Sequence, residues 1–84
     1  MAKYIVVKEY NTEWGTMDMV PFVFPEYIGH VAMVRRLGLS KEDVLSAGFV
    51  SIDGDKVTCH GRSDTLDLSV GKRDETILAR LLSS

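Results

Sequence analysis

The sequence predicts a single α+β domain over residues 1–84, in which a small antiparallel sheet of three to five strands packs against two or three helices. Three observations predict this class. The length of 84 residues suits one domain. Short β-branched and aromatic runs are bounded by turn residues, and other segments carry apolar residues at helical spacing. The predicted order is strand, strand, helix, short helix, hairpin, a segment that can add a short strand, and helix.

Two extended segments open the chain. Lys3 to Tyr10 is rich in β-branched and aromatic residues and is apolar on both faces in its first half, which indicates a covered strand. Met17 to Phe24 is the second segment, and its Pro21 cannot donate to a ladder, so we expect an edge strand. In the polar loop between them, Trp14 is predicted to fold back over the core, with an exposed anchor for a partner as the alternative.

Two helices are predicted next. Pro25 suits the first turn of a helix from Glu26 to Leu37, with apolar residues at helical spacing. His30 lies off this apolar stripe and is expected at the surface or at an interface. A short helix from Lys41 to Ala47 follows, with Ser40 as its N-cap.

The second half of the chain is predicted to form a hairpin and a last helix. Asp53-Gly54-Asp55 separates two β-runs and is a strong hairpin signal. Alternation along the hairpin places Cys59 on the buried face and His60 on the exposed face. Asp74 is expected to cap the last helix. The apolar stripe of this helix comprises Ile77, Leu78, Leu81 and Leu82. It must be buried against another part of the fold.

Composition excludes several classes of protein. Ten basic residues against twelve acidic ones give a net charge of −2, which argues against a basic nucleic-acid coat or a polybasic membrane binder. No run approaches the roughly 18 apolar residues of a membrane span. The single cysteine permits no internal disulfide, and the apolar run from Tyr4 to Val7 lacks the features of a signal peptide. We therefore expect a cytoplasmic protein without a membrane partner.

The segment from Met33 to Ala47 resembles a helix-turn-helix. Val34, Gly38 and Val44 have the required spacing, and the following hairpin would form a wing. Glu42 and Asp43 would face phosphates badly, so we favour a plain helical corner and keep a winged-helix DNA-binding regulator as an alternative. The candidate DNA contacts would be Arg35, Arg36, Ser40 and Lys41.

The segment around Gly61 is the first place to look for a small ligand, because loops hold most sites. It brings a base, a nucleophile and a carboxylate close together in sequence, but catalytic triads are assembled from separate elements, so we predict no catalytic residues. Cys59 and His60 point to opposite faces of a strand and cannot chelate together, so no metal or other cofactor is expected. A small-molecule or enzymatic site stays a further alternative, with candidate residues His60, Arg62, Ser63 and Asp64.

The apolar density of Met17 to Phe24 is the most informative feature of the sequence. An edge strand this rich in Met and Phe is a liability unless the fold or another chain covers it. The principal hypothesis is therefore a non-enzymatic protein-interaction module that binds a protein partner or pairs through this edge with a second copy as a homodimer. The candidate contact residues are Trp14, Met17, Met19, Phe22 and Phe24.

Three stretches carry a resemblance to known sequences: Val20-Pro21-Phe22-Val23-Phe24-Pro25-Glu26 with His30, Ser46-Ala47-Gly48-Phe49, and Gly61-Arg62-Ser63 with Leu66 and Leu68. Together they resemble short, uncharacterised bacterial and phage-encoded proteins. The resemblance implies a bacterial or phage origin. It implies no activity, cofactor or partner, so no functional residue is carried over from it.

Overall fold

The computed structural model describes residues 1–83 and has an α+β fold. A four-stranded antiparallel sheet, a two-stranded sheet and two α-helices make up the described part of the chain. The elements are β1 (Ala2–Asn11), β2 (Thr16–Pro25), α1 (His30–Arg36), β3 (Val44–Asp53), β4 (Lys56–His60), β5 (Arg62–Ser63), β6 (Leu68–Ser69) and α2 (Asp74–Ser83). The predicted α+β class is therefore confirmed.

The large sheet has the strand order β2-β1-β3-β4. Strand β1 lies inside the sheet, as its two-sided apolar pattern predicts, and Tyr4 to Val7 are all buried. Strand β2 pairs along its whole length with β1 and lies at an edge, as the position of Pro21 predicts. Strands β3 and β4 form the predicted hairpin, with Asp53 opposite Lys56 across the turn.

The two faces of the sheet carry separate cores. Ile5 and Val7 of β1 point to one face and pack with Val34 of α1. Tyr4 and Val6 point to the other face and pack with Leu78 of α2. The two helices therefore lie on opposite faces of the sheet.

Helix α1 is shorter than predicted and begins later. Pro25 ends β2 instead of opening a helix, and the chain turns through Ile28, whose N–H donates to the Pro25 carbonyl oxygen. Tyr27 is 84% exposed and takes no part in the helix. The predicted end at Leu37 is correct to within one residue, because the helix ends at Arg36, Leu37 is its C-cap and Gly38 follows with a φ of +70°.

The predicted helix from Lys41 to Ala47 is wrong. Only one 3₁₀ turn forms, over Lys41–Asp43, and the residues from Val44 onward belong to β3. Val44 and Ala47 are buried beside β1, where they extend the core of the α1 face. Pairing with a central strand outweighs the weak helical propensity of this stretch.

Candidate interaction surface

Strand β2 presents two different faces, because side chains alternate along a strand. Its even-numbered residues share the side of Ile5, where Phe22 is half-buried and Phe24 is buried in the α1 core. Its odd-numbered residues lie on the α2 side, where Met17 is 48% and Met19 is 37% exposed. The exposed apolar side chains of β2 therefore face α2.

A groove runs between β2 and α2 and is called the β2 groove here. It has a volume of about 490 Å³ and is lined by Met17, Asp18, Met19, Pro21, Ile77, Arg80 and Leu81. Leu81, which stands across the groove from the methionines, is 43% exposed. The groove thus has apolar side chains on both walls, and flexible methionines form one of them.

The free edge of β2 is poorly suited to strand pairing. Along an antiparallel strand, alternate residues direct their backbone N–H and carbonyl groups towards one neighbour and away from it. Pro21 has no N–H to donate to β1, so it belongs to the set that points away. The odd-numbered residues of β2 therefore direct their backbone groups to the free edge. Pro21 and Pro25 both belong to this outward set and remove two of its donors. Only Met17, Met19 and Val23 offer both an N–H and a carbonyl to a neighbouring strand.

A second groove lies on the other side of α2 and is called the hairpin groove here. It has a volume of about 640 Å³ and is lined by Ile52, Gly54, Asp55, Val57, Thr76, Ala79, Arg80 and Leu82. Ile52 is 50% and Leu82 is 48% exposed. The C-terminal half of α2 therefore forms a ridge between two apolar grooves, and only Leu78 of its apolar stripe is fully buried.

The structure separates the predicted partner-binding residues. Trp14 lies in the turn between β1 and β2 and is 73% exposed, so the expectation that it covers the core is wrong. Met17 and Met19 lie in the β2 groove. Phe22 points to the opposite face. Phe24 is 3% exposed and belongs to the core, so the prediction that it contacts a partner is wrong.

The residues of the predicted ligand loop differ in exposure and in their partners. His60 is exposed and stacks on Phe49, with ring centroids 6.0 Å apart. Ser63 is buried, and its Oγ accepts from the N–H of Leu66. The exposed Arg62 binds Asp64, with Nε 3.1 Å from Oδ1, and also binds Asp67.

Within residues 1–83, no hydrogen bond joins His60 to Ser63 or Asp64, and these three residues line neither groove. Leu66 and Leu68, which the sequence analysis placed nearby, pack into the α1 core instead.

The predicted DNA-contact residues lie on short, separate elements. Arg35 and Arg36 are exposed in the last turn of α1. Ser40 caps the 3₁₀ turn, where its backbone N–H and its Oγ both donate to Asp43. Lys41 lies within that single turn, so the recognition helix that the helix-turn-helix hypothesis requires does not form.

A buried polar cluster at the start of α2 escaped the sequence analysis. The phenol of Tyr4 donates to Asp74, and the hydroxyl of Ser46 donates to the same carboxylate. Asp74 is 3% exposed. Burial and the hydrogen bond to Asp74 raise the pKa of the Tyr4 phenol far above its ordinary value. The N-cap signal of Asp74 was visible in the sequence, but its partners come from β1 and β3.

Cys59 of β4 packs beside Tyr4, next to this polar cluster. Its backbone N–H donates to the Glu75 carboxylate, with N and Oε2 2.8 Å apart. Burial raises the pKa of its thiol to about 11, so the sulfur is a protonated, weakly reactive group. The sequence prediction that Cys59 is a small buried residue is confirmed.

His30 is buried within the chain, whereas the sequence analysis expects it at the surface or at an interface. Its Nε2 is 3.0 Å from the carbonyl oxygen of Gly48, and its ring packs edge-on against Phe24 and Phe49. Burial lowers the pKa of His30, and the charge of Lys3 acts in the same direction. His30 thus joins α1 to β3, which its position off the apolar stripe did not indicate.

Two further properties concern the described residues. Within residues 1–83, no three His, Cys, Asp or Glu side chains form a group that could hold a metal ion. None of the helices in that range is long and apolar enough to cross a membrane.

Comparison with known protein families, with curated proteins and with solved structures finds no match to this chain.

Proposed function

We propose that this chain is a protein-interaction module and that its β2 groove binds an apolar segment of another polypeptide. The observation that carries the proposal is the row formed by Met17 and Met19, which stays exposed beside Leu81 on the α2 side of β2. Contiguous exposed apolar surface on a small domain is typical of a binding site.

The side chains of β2, more than its backbone, are the expected contacts. Pro21 removes a donor from the middle of the free edge, and its ring stands where a neighbouring strand would approach. Met side chains adapt to differently shaped partners because they are unbranched and flexible. The occupant is therefore expected to insert apolar side chains between β2 and α2. Trp14, exposed in the turn before β2, would extend the contact as an aromatic anchor.

The test compares three immobilised forms of the chain: native, Met19→Lys and Tyr27→Lys. Met19→Lys places a charge in the β2 groove, whereas Tyr27 is 84% exposed and lines neither groove. Proteins retained from a cell extract are quantified by mass spectrometry, and untagged copies of the chain are added so that self-association is also detected. We expect a set of proteins that native and Tyr27→Lys retain and that Met19→Lys retains at least about tenfold less.

Retention that is the same for all three forms would contradict the proposal. Thermal unfolding of the three forms is the control for folding. An exposed position such as Met19 should tolerate the change to lysine within about 1 kcal/mol.

A further inference from the structure

The hairpin groove fits a different occupant from the β2 groove. Its floor and walls carry the apolar side chains of Ile52, Val57 and Leu82. Half of the surface of Ile52 and nearly half of that of Leu82 stays exposed. An occupant must therefore bring apolar side chains of its own to cover them.

The walls of the hairpin groove also differ in charge. Arg80 of α2 stands on one wall, and Asp55 of the β3–β4 turn stands on the other. Both residues are exposed. An occupant that sets an apolar ridge into this groove gains if it also places a cation beside Asp55 and an anion beside Arg80.

The C-terminal half of α2 has these properties itself. It forms a ridge that carries Leu82 as an exposed apolar side chain and Arg80 as a cation. We infer that the hairpin groove binds the α2 ridge of a second copy of this chain, so that two copies form a symmetric dimer through their α2 helices.

A two-fold axis makes the contact reciprocal. In such an interface one surface patch meets the same patch of the partner, so a contact from Arg80 to Asp55 occurs twice. Leu82 and Ile52 of the two copies cover one another at the centre, and Ala79 lets the two helices approach closely because its side chain is small. The two charge pairs lie at the rim of this apolar centre.

The size of the contact sets the expected affinity. A ten-residue helix is about 15 Å long. One such helix per copy with the tip of the hairpin would bury about 1,000 Å² in total, at the low end of specific interfaces. The dimer should therefore have a dissociation constant in roughly the micromolar range and exchange with the monomer on dilution.

The first measurement is the molar mass of the purified chain by light scattering and sedimentation, from about 1 μM to 1 mM. The dimer predicts a rise from 9.4 kDa towards twice that mass with concentration. A mass of 9.4 kDa over the whole range overturns the inference.

The second measurement is a charge exchange. Arg80→Glu alone and Asp55→Arg alone each set two pairs of like charges against one another, and each should weaken the dimer at least about tenfold. An equimolar mixture of the two variants restores both attractive pairs in a heterodimer, so the mass should rise again. Glu13→Arg, which makes the same kind of charge change in the exposed turn between β1 and β2, should leave the dimer unchanged.

Far-UV circular dichroism and thermal unfolding show whether each variant is folded, and Leu82→Lys gives an independent disruption of the apolar centre. A dimer that survives Arg80→Glu, Asp55→Arg and Leu82→Lys but is lost in Met19→Lys overturns the inference and supports the proposed function, because the second copy then occupies the β2 groove. A monomeric chain whose β2 groove still retains other proteins overturns only the dimer.

Discussion

The phenol oxygen of Tyr4 lies 2.5 Å from Oδ2 of Asp74, although the two residues are 70 positions apart in the sequence. The same carboxylate accepts a hydrogen bond from the hydroxyl of Ser46 and another from the N–H of Gly71, each 2.8 Å long. Asp74 therefore joins the start of α2 to β1 and β3 at once. Because α2 forms one wall of both grooves, this carboxylate positions both candidate binding surfaces.

The first prediction concerns Asp74. Asp74→Ala removes the buried acceptor of three hydrogen bonds, from Tyr4, Ser46 and Gly71. The free energy of unfolding should therefore fall by about 3 kcal/mol. Urea unfolding measures the change. Asp18→Ala removes an exposed carboxylate and should stay within about 0.5 kcal/mol of the native chain. A loss below about 1 kcal/mol for Asp74→Ala would show that the cluster does not hold α2 on the sheet.

The second prediction concerns the thiol of Cys59. Its pKa of about 11, against an ordinary value of 9.0, leaves about a hundredfold less thiolate at pH 8. The folded chain should therefore react with a thiol reagent such as dithionitrobenzoate at least about a hundredfold more slowly than the chain in urea. The rate of reagent consumption measures this difference, and comparable rates in the two conditions would contradict the buried position.

The third prediction concerns pH and His30. Because burial lowers the pKa of His30 below its ordinary value of 6.5, the folded state favours the neutral ring. The resulting stabilisation is complete above the unfolded pKa and is lost as pH falls from about 6.5 through the lower folded pKa. Stability of the native chain should therefore decrease between about pH 7.5 and 5.

The variant His30→Gln keeps an amide donor near the Gly48 carbonyl and removes this titration, so its stability should depend less on pH over the same range. Urea unfolding at a series of pH values measures both slopes. Equal slopes for the two proteins would refute the assignment of the pH dependence to His30.

The fourth prediction concerns Gly48, whose backbone is tightly surrounded. A Cβ at this position would lie 2.9 Å from the carbonyl oxygen of His60 and 3.0 Å from Cγ2 of Val70. Gly48→Ala should therefore cost about 1–3 kcal/mol, because β4 or the segment after β6 must move. Gly29→Ala, where nothing lies within 4 Å, should change stability by less than about 0.5 kcal/mol. Thermal unfolding compares the two, and equal effects would contradict the close packing at Gly48.

The sequence supports different parts of the fold unequally. The apolar run of Tyr4 to Val7 predicts the inner strand, Pro21 predicts the edge strand, and Asp53-Gly54-Asp55 predicts the hairpin turn. The helical boundaries were harder to predict because apolar spacing in a short segment does not separate a helix from a buried strand. Val44 to Ala47 is the clear case, since its residues become strand only where β1 is available as a neighbour.

The candidate surface was half predictable. The density of Met and Phe directed attention to β2, which forms one wall of the proposed surface, but the partition of its side chains between the two faces depends on which helix covers which face. Phe24 therefore belongs to the core, whereas Met19 stays exposed. Neither Leu81 nor Leu82 could be assigned as exposed from the sequence, because both belong to the same apolar stripe as the fully buried Leu78.

Local chemistry alone determined β1, the edge strand β2, the turn between β3 and β4 and the glycine that ends α1, since β-branched runs, prolines and glycines restrict the backbone wherever they occur. Only the tertiary structure decided that the helices lie on opposite faces, that His30 and Asp74 are buried, and that α2 stands between two grooves. These features depend on contacts between residues far apart in the chain. Local periodicity carries no information about which distant group will satisfy a buried polar atom or cover an apolar face.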